Sequence, residues 1–256
     1  MSTDANLTVS VIIPMFNAEE TIEATVKSIQ SQSYRNFEII ICDDASTDQS
    51  VEIVRNLSKT MPEINLILKS KNSGVADTRN VAISHAKGRF LAFCDADDYW
   101  YEAKLEVQVK EMLENKAAIS FTRCERLYKN SIRVNSRKSI LRYPSFRDML
   151  FRNHIVNSTS MIDLTMLPKP EQKNIKHEDY AMWLNYYKTE PKVIGIDKTL
   201  VTYRVREQSL SSNKLKSLFW HYRVLRSEEN LNIVGSFYFT IVGRIKLAIS
   251  RLSERR

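Results

Sequence analysis

Residues 90–98 read FLAFCDADD, an apolar run that ends directly in a group of aspartates. The run Phe90 to Cys94 has the length and composition of a strand that is buried on both faces. A helix is predicted over Val75 to Ala86, before this strand, and another strand over Ile64 to Leu68. Two strands separated by a helix favour a parallel arrangement, because parallel neighbours need a long crossover connection.

The same alternation continues towards residue 1. Strands are predicted over Val9 to Pro14 and Phe37 to Cys42, where short apolar runs are rich in β-branched residues. A helix is predicted between them over Glu19 to Gln32, because its apolar residues recur every three or four positions. Ser46 to Asp48 then offer an N-cap for another helix. The predicted fold class is therefore α/β, with a doubly wound and mostly parallel sheet.

The alternation weakens after Leu113. Three further strands are predicted, over Ala118 to Leu127, Ser158 to Asp163 and Lys192 to Tyr203. Two helices are predicted, over Ser145 to Arg152 and Glu178 to Tyr187. From Lys214 the pattern is helical, and residues 236–256 combine apolar residues at helical spacing with Lys and Arg, which predicts a basic amphipathic helix.

Composition limits the class of protein. The chain has 256 residues, 43% hydrophobic and 27% charged, which suits one compact globular unit with an appendage. Its three cysteines show no CxxC spacing and predict reduced, buried thiols in the cytoplasm. We find no signal-peptide pattern and no apolar stretch of about 18 residues, so we expect neither secretion nor a membrane-spanning helix.

Positive charge concentrates at the C-terminal end. The net charge is +8, and residues 214–256 hold nine Lys or Arg against three Glu. Such a surface attracts anions, but its sign alone does not distinguish nucleic acid, lipid headgroups and phosphorylated substrates. No RNP, zinc-finger or recognition-helix pattern occurs, so no nucleic-acid partner is predicted. The final helix either docks on an anionic membrane or packs on the domain with its charges solvated.

Acidic pairs follow two of the predicted strands. Asp95, Asp97 and Asp98 come directly after the strand at 90–94, and Asp43 and Asp44 directly after the strand at 37–42. The carboxyl ends of parallel strands face one crevice, where ligands bind. An Asp-x-Asp there can anchor Mn²⁺ or Mg²⁺ together with a diphosphate. Either pair alone is more typical of turns and helix caps, so the coincidence of the two carries the prediction.

The chain resembles the family 2 glycosyltransferases with the GT-A fold, as found in enzymes that build bacterial surface polysaccharides. Four segments carry this resemblance, in family order. They are VSVIIPMFN at 9–17, SIQSQSYRNFEIIICDDASTD at 28–48, NSGVADTRNVAISHAKGRFLAFCDADDYW at 72–100 and HEDYAMW at 177–183. The resemblance implies a doubly wound GT-A domain over 1–213, with a nucleotide-binding half at about 8–113, an acceptor half at about 114–213 and a helical extension at 214–256.

The resemblance also implies a donor site. Pro14 and Asn17 would line the nucleotide pocket, and Asp44, supported by Asp43, would meet the uracil or ribose. Arg79 would approach the base or the pyrophosphate. Without the resemblance, the two aspartates are equally typical of residues that cap the helix beginning near Thr47.

The reacting groups follow from the same resemblance. Asp97 would be the metal ligand for Mn²⁺ or Mg²⁺, while Asp95 would contact the ribose, the donor sugar or the metal's water shell. Asp179 would be the catalytic base, although acids at a helix N-terminus also interact favourably with the helix dipole. Arg204, followed by Ser209 to Ser212, would help to hold the diphosphate. The segment 157–162 would lie near the acceptor.

The implied activity is inverting transfer of a hexose or N-acetylhexosamine from a UDP-sugar to a hydroxyl of an acceptor. The acceptor would be an oligosaccharide or a lipid-linked saccharide, such as one on undecaprenyl diphosphate, and the protein would lie at the cytoplasmic face of the cell membrane. The alternative is a protein that binds nucleotide sugars without transfer, or a nucleotidyltransferase. The first is disfavoured by the presence of both Asp97 and Asp179, and the second by the lack of a Gly-rich, Lys-containing loop after the first strand.

Overall fold

The computed structural model describes residues 7–128, 133–135, 140–205 and 214–253. The segment from Ser209 to Ser212 and the last three residues of the predicted basic tail lie outside the described residues. The strands are β1 (Val9–Met15), β2 (Phe37–Asp43), β3 (Ile64–Leu68), β4 (Phe90–Phe93), β5 (Tyr99–Trp100), β6 (Ile119–Leu127), β7 (Arg133–Asn135), β8 (Ser160–Asp163) and β9 (Val193–Arg204). The helices are α1 (Ile22–Gln30), α2 (Ser50–Ser58), α3 (Val75–Ser84), α4 (Lys104–Asn115), α5 (Phe146–Phe151), α6 (Glu178–Tyr187), α7 (Lys214–Ser227) and α8 (Ile233–Ser253), with a 3-10 turn at Asn157–Thr159.

The first four strands form the parallel half of the sheet, as predicted. Their order is β3-β2-β1-β4, and every pairing among them is parallel. All residues of β1 are buried, since helices cover both faces of the sheet: Ile13 packs in one core cluster and Ile12 in the other. Met15 is paired with Asp43, so the carboxyl ends of β1 and β2 meet at one edge.

The second half of the sheet is mixed, which differs from the mostly parallel arrangement predicted. β8 is antiparallel to both β4 and β6, whereas β6 and β9 are parallel to each other. The two-residue strand β5, which the sequence pattern does not predict, pairs antiparallel with β9. Antiparallel neighbours need no crossover helix, so the loss of strand and helix alternation after Leu113 reflects a real change in topology.

Two predicted helix starts lie about three residues too early. α1 begins at Ile22 and α2 at Ser50, because the acidic residues before them bind loop amides instead of extending the helices. Asp48 accepts hydrogen bonds from the backbone N–H of Ser50 and of Glu19, each at 3.0 Å. These bonds tie the loop after β1 to the loop after β2.

The helices after residue 213 pack on the rest of the chain. Val224 and Leu225 of α7 are buried in the same core cluster as α6. Gly243 of α8 lies so close to the end of α5 that a Cβ atom there would collide with the carbonyl oxygen of Phe151. In the described part of the chain no helix is long and apolar enough to cross a membrane. Cys42, Cys94 and Cys124 are buried thiols, as predicted.

We predict that Gly88→Ala destabilises the fold. The added Cβ would lie 2.5 Å from the carbonyl oxygen of Thr8 and 2.8 Å from Oγ of Ser10, so the start of β4 would have to move away from β1. We expect a loss of about 1–3 kcal/mol in the free energy of unfolding, measured by urea denaturation. The matched control is Gly235→Ala, where the Cβ would meet only the Asn232 side chain, at 3.1 Å, and an equal loss there would contradict the argument.

Candidate active site

The first part of the site is the acidic turn at the end of β4. The strand ends where the buried apolar run gives way to Asp95, whose backbone N–H donates to Oγ of Ser158 at 3.0 Å. The N–H of Asp98 donates to the carbonyl oxygen of Asp95, which closes the turn. Asp95 and Asp97 are partly exposed, whereas Asp98 is only 1% exposed. The turn therefore presents two carboxylates to solvent and buries the third.

Arg79 of α3 connects this turn to α6. Its guanidinium donates to Asp95 at 2.6 Å, to Glu178 at 3.1 Å and to the side chain of Gln172 at 3.0 Å. Arg79 is 5% exposed. Burial alone would lower the pKa of Arg79, but the charges of Asp95 and Glu178 raise it above its ordinary value. Arg79 therefore stays charged and holds two acids of different elements together.

Asp179 lies in the first turn of α6, near the positive end of the helix dipole. The preceding His177 has φ +63°, which sets the direction in which the helix starts. Nδ2 of Asn153 donates to Oδ2 of Asp179 at 3.2 Å. Burial raises the pKa of Asp179 to about 7; Glu178 adds to the increase, and Arg79 opposes it. A carboxyl group with this pKa can take up a proton near neutral pH.

Tyr203 of β9 shows that the acids of β4 and α6 share one site. Burial raises its pKa, and so do the negative charges of Asp95, Asp98, Asp97 and Asp179. Burial also raises the pKa of Asp98 well above its ordinary range, with Asp95 and Asp97 contributing. Since Arg79 also binds both Asp95 and Glu178, the two halves of the predicted site meet in the structure.

Arg204 follows Tyr203 at the end of β9. Its backbone N–H donates to Oδ1 of Asp98 at 3.0 Å, and its exposed side chain donates through Nε to the carbonyl oxygen of Asp97 at 3.3 Å. This places a cation directly beside the acidic turn.

The residues predicted for the nucleotide lie at the ends of β1 and β2. Pro14 is buried within β1, and the exposed Asn17 accepts a hydrogen bond from the N–H of Thr47 at 2.9 Å. Asp43 is buried and accepts from the N–H of Ser46 through Oδ2, at 3.0 Å. Its Oδ1 is buried and has no hydrogen-bond partner among the described residues.

Asp44 holds the loop between β3 and α3. It is 3% exposed, and its two carboxylate oxygens accept from the N–H groups of Ser73 and Gly74 and from Nζ of Lys69, at 2.8–2.9 Å. Burial opposes ionisation, but these hydrogen bonds outweigh it and lower the pKa of Asp44. Lys69 also binds Asp77 at 2.7 Å. In this structure Asp44 is thus fully bonded within the protein.

The carboxylates at the acidic turn suit a hard divalent cation. In the part of the chain that the structure describes, no three His, Cys, Asp or Glu side chains are grouped as metal ligands. Asp95 and Asp97, however, are two partly exposed aspartates of the same turn, separated by one residue. Mg²⁺ sites of enzymes that act on phosphates commonly use one or two carboxylates, with phosphate oxygens and water completing the shell. The donor set therefore fits a metal held jointly with a diphosphate.

Comparison with known proteins decides the family. Residues 10–163, more than half of the chain, match the sequence profile described as "Glycosyl transferase family 2". The chain belongs to this family. The GT-A fold and the glycosyltransferase class that the resemblance implied are therefore confirmed.

Two relatives of this family 2 glycosyltransferase match almost end to end. "UDP-Glc:alpha-D-GlcNAc-diphosphoundecaprenol beta-1,3-glucosyltransferase WfaP" of Escherichia coli is 35% identical over 96% of this chain and 98% of its own length. "Putative teichuronic acid biosynthesis glycosyltransferase TuaG" of Bacillus subtilis is 35% identical over 88% of this chain and 90% of its own length.

Solved structures agree in fold. S. aureus TarS in complex with UDP-GlcNAc has a TM-score of 0.70 at 20% identity, covering 91% of this chain and 70% of that chain. The mannosyltransferase PcManGT from Pyrobaculum calidifontis, in complex with GDP-Man and Mn²⁺, has a TM-score of 0.64 at 18% identity, covering 94% of this chain and 75% of that chain.

Three residues of this site were not predicted from the sequence: Asn153, Ser158 as the partner of Asp95, and Tyr203. Tyr203 precedes Arg204 in a segment that the resemblance includes, so its position was a usable signal. Asn153 lies in a loop without a motif, and only its contact with Asp179 identifies it.

We predict that Asp179→Asn makes the protein more stable at pH 8 than the wild type. A carboxyl group whose folded pKa is raised to about 7 binds its proton more tightly when folded, so ionisation removes stability between about pH 4 and pH 7. Asparagine cannot ionise, so the gain in melting temperature should be largest at pH 8 and shrink towards pH 4. Each kcal/mol corresponds to about 2–4 °C for a protein of this size. Thermal denaturation of Glu114→Gln, which changes a well-exposed acid, should show no such trend, and a pH-independent difference for Asp179→Asn would contradict the prediction.

Proposed function

We propose that this glycosyltransferase moves a hexose or N-acetylhexosamine from a UDP-sugar to a hydroxyl of a saccharide linked to undecaprenyl diphosphate. The observation that carries the proposal is that Arg79 binds both Asp95, in the acidic turn after β4, and Glu178, the residue before Asp179 in α6. The name of WfaP supports the UDP-sugar donor and the lipid-linked acceptor, and the name of TuaG supports a role in building a polysaccharide. Surface-polysaccharide assembly at the cytoplasmic membrane face follows from such an acceptor.

The nucleotide binds where β1 and β2 end. Pro14 and Asn17 form one wall of the pocket, and Asp43 and Asp44 form the floor. The unpartnered Oδ1 of Asp43 can accept the N–H of a uracil ring, which would remove the cost of leaving a buried acceptor unsatisfied. Asp44 contributes by holding the loop of Ser73 and Gly74 against the pocket.

The diphosphate lies over the acidic turn. Asp97 would hold Mn²⁺ or Mg²⁺, and Asp95 would border the donor sugar or the metal's water shell. When bound, the divalent cation neutralises negative charge that develops on the leaving diphosphate. Arg204 adds a second positive charge beside Asp97, while Arg79, which is buried against Asp95 and Glu178, positions the acids rather than the phosphates.

Asp179 is the catalytic base. Its carboxylate accepts the proton of the acceptor hydroxyl as that oxygen bonds to the anomeric carbon. The bond from this carbon to the diphosphate oxygen breaks, and its electron pair leaves with the nucleoside diphosphate. Attack opposite to the leaving group inverts the anomeric configuration in one step, and no covalent sugar–enzyme intermediate forms.

The extension at α7 and α8 attaches the protein to an anionic membrane surface. Exposed apolar side chains cluster on α8, where Ile233, Val234 and Phe237 are 66%, 77% and 61% exposed. Together with Tyr238, Ile241 and Val242 they form an open apolar surface on the same helix. The positive charge of residues 214–256 complements anionic lipid headgroups, so both contributions to interfacial binding are present.

The donor site is tested by calorimetric titration of UDP, GDP and CMP with and without Mn²⁺. We expect UDP to bind best, and its affinity to fall on the order of 10-fold or more without metal or in Asp97→Ala. Glu114→Gln, far in sequence from every site residue, should bind like the wild type. Failure of every nucleotide to bind under any metal condition would overturn the proposed donor.

The base is tested by the rate of sugar transfer to a lipid-linked acceptor. Asp179→Asn should lower kcat about 10²- to 10⁴-fold while UDP affinity stays unchanged, because proton removal is lost and donor binding is not. In the wild type, kcat should rise with pH through about pH 7, since the carboxyl group with a pKa of about 7 must be ionised. Retained transfer by Asp179→Asn would show that another group is the base.

Membrane attachment is tested by sedimentation with lipid vesicles. We expect binding to vesicles that contain phosphatidylglycerol, and weaker binding to pure phosphatidylcholine or at high salt. Phe237→Glu should weaken binding several-fold, because it places a charge in the apolar contact. Met166→Glu alters another exposed apolar residue, 49% exposed and outside α7 and α8, and should bind normally. Equal binding of all variants would refute the assignment of this surface.

A further inference from the structure

A loop that joins α5 to the 3-10 turn runs between the two halves of the active site. At its start, Asn153 donates through Nδ2 to Oδ2 of Asp179. At its end, Ser158 accepts the backbone N–H of Asp95. Between them, Ile155 is fully buried, which anchors the loop in the core. A short segment therefore touches both the proposed base and the acidic turn.

The amide of Asn153 has a fixed orientation. Its Oδ1 accepts the backbone N–H of Ile155 at 3.0 Å, so the oxygen is committed to the loop and the NH₂ group faces Asp179. An amide donor can bind only a carboxylate oxygen that offers a lone pair in its direction. The contact therefore favours one orientation of the Asp179 carboxyl group, with Oδ2 towards Asn153.

We propose that Asn153 is a positioning residue for Asp179, and that α8 holds Asn153 in place through Phe151. This inference rests on the proposed role of Asp179 as the base. It assigns a catalytic purpose to the helical extension, in addition to membrane attachment.

The link to α8 consists of direct contacts at Phe151, two residues before Asn153. The ring of Phe151 packs against Phe239 with a centroid distance of 4.9 Å and against Tyr238 at 6.1 Å. Nζ of Lys246 lies 3.8 Å from the centre of the same ring. Gly243 allows the backbones to approach, since a Cβ atom there would collide with the Phe151 carbonyl oxygen. α8 thus contacts the end of α5 through both side chains and backbone.

α7 supports the same helix start from a second direction. The hydroxyl of Tyr180, the residue after Asp179, donates to the carbonyl oxygen of Met149 at 2.7 Å and lies 2.9 Å from Nε2 of His221. Tyr180 is fully buried. The first turn of α6 is therefore tied to α5 and α7 immediately beside the base.

The charged and titratable groups around Asp179 set the direction of the pH effect. Glu178 on the same helix and Asp95 from the turn after β4 disfavour its ionised form, whereas Arg79 from α3 favours it. Tyr203 from β9 is also close. A hydrogen bond from Asn153 stabilises the ionised carboxylate, so its loss should raise the pKa of Asp179 further.

The test compares Asn153→Ala and Asn153→Asp by the pH dependence of kcat, with a soluble acceptor analogue and no membrane. Aspartate keeps the acceptor for the Ile155 N–H and loses the donor to Asp179. If Asn153 orients the base, both variants should lower kcat about 10- to 100-fold and shift the acidic limb upward by about one pH unit. The KM for the UDP-sugar should change less than about twofold. The like charge of aspartate itself raises the pKa of Asp179, so the value of kcat on the high-pH plateau, where Asp179 is ionised, is decisive. If Asn153 only shapes the loop, Asn153→Asp will keep the wild-type plateau, and the inference fails.

The contribution of α8 is tested with Gly243→Ala, and Gly235→Ala on the same helix is the control. Gly243→Ala should lower kcat and shift the acidic limb in the same direction as Asn153→Ala, whereas Gly235→Ala should leave both unchanged. Unaltered UDP affinity shows that each variant retains the donor half of the fold. A wild-type profile for Gly243→Ala with intact UDP binding would overturn the α8 link. Full transfer activity of Asp179→Asn would instead refute the base assignment, which distinguishes failure of the proposed function from failure of this inference.

Discussion

The active site depends on the salt bridges that the buried guanidinium of Arg79 forms. Arg79 carries its charge at 5% exposure and binds Asp95 from the β4 turn and Glu178 from the start of α6. Removing one partner of such a buried group typically costs about 3–5 kcal/mol, because the remaining charge is left uncompensated. Without this cation, Asp95, Glu178 and Asp179 would repel one another at close range. Arg79 therefore lets the sheet and α6 bring their acids together, which a site for a cation and a diphosphate requires.

Much of the parallel half could be predicted because its signals are local. A buried strand such as Phe90–Phe93 is marked by its own apolar run, and the acidic residues that follow it mark the ligand edge of the sheet. Strand direction after Leu113 was less predictable, since it depends on which distant strand supplies the partner. The predicted base Asp179 follows Glu178, which binds the same Arg79 as Asp95 of the acidic turn. Arg79 and Asp44 were predicted to contact the nucleotide, but both bind other residues of the protein. No sequence motif indicates a hydrogen-bond donor such as Asn153, which becomes a neighbour of Asp179 only through tertiary packing.

The extension at α7 and α8 has two different faces. One packs into the core through Val224 and Leu225 and surrounds Phe151, while the other exposes residues such as Val234 and Phe237. A helix that served only as a solvated tail would not need a glycine at the contact with Phe151. The extension is thus part of the folded unit, and it also carries exposed apolar residues on α8. Mutations on its buried face should change packing, and mutations on its exposed face should change surface binding.

The buried cysteines give the molecule a practical property. Burial raises the pKa of Cys42 to about 11 and that of Cys94 well above its ordinary value, and Cys124 is also buried. Alkylating reagents react with exposed thiolates, which these residues do not provide at neutral pH. The native chain should therefore behave towards maleimides almost as a cysteine-free protein. A single cysteine introduced at an exposed position such as Ile249 could carry a fluorophore selectively, without removal of the natural thiols.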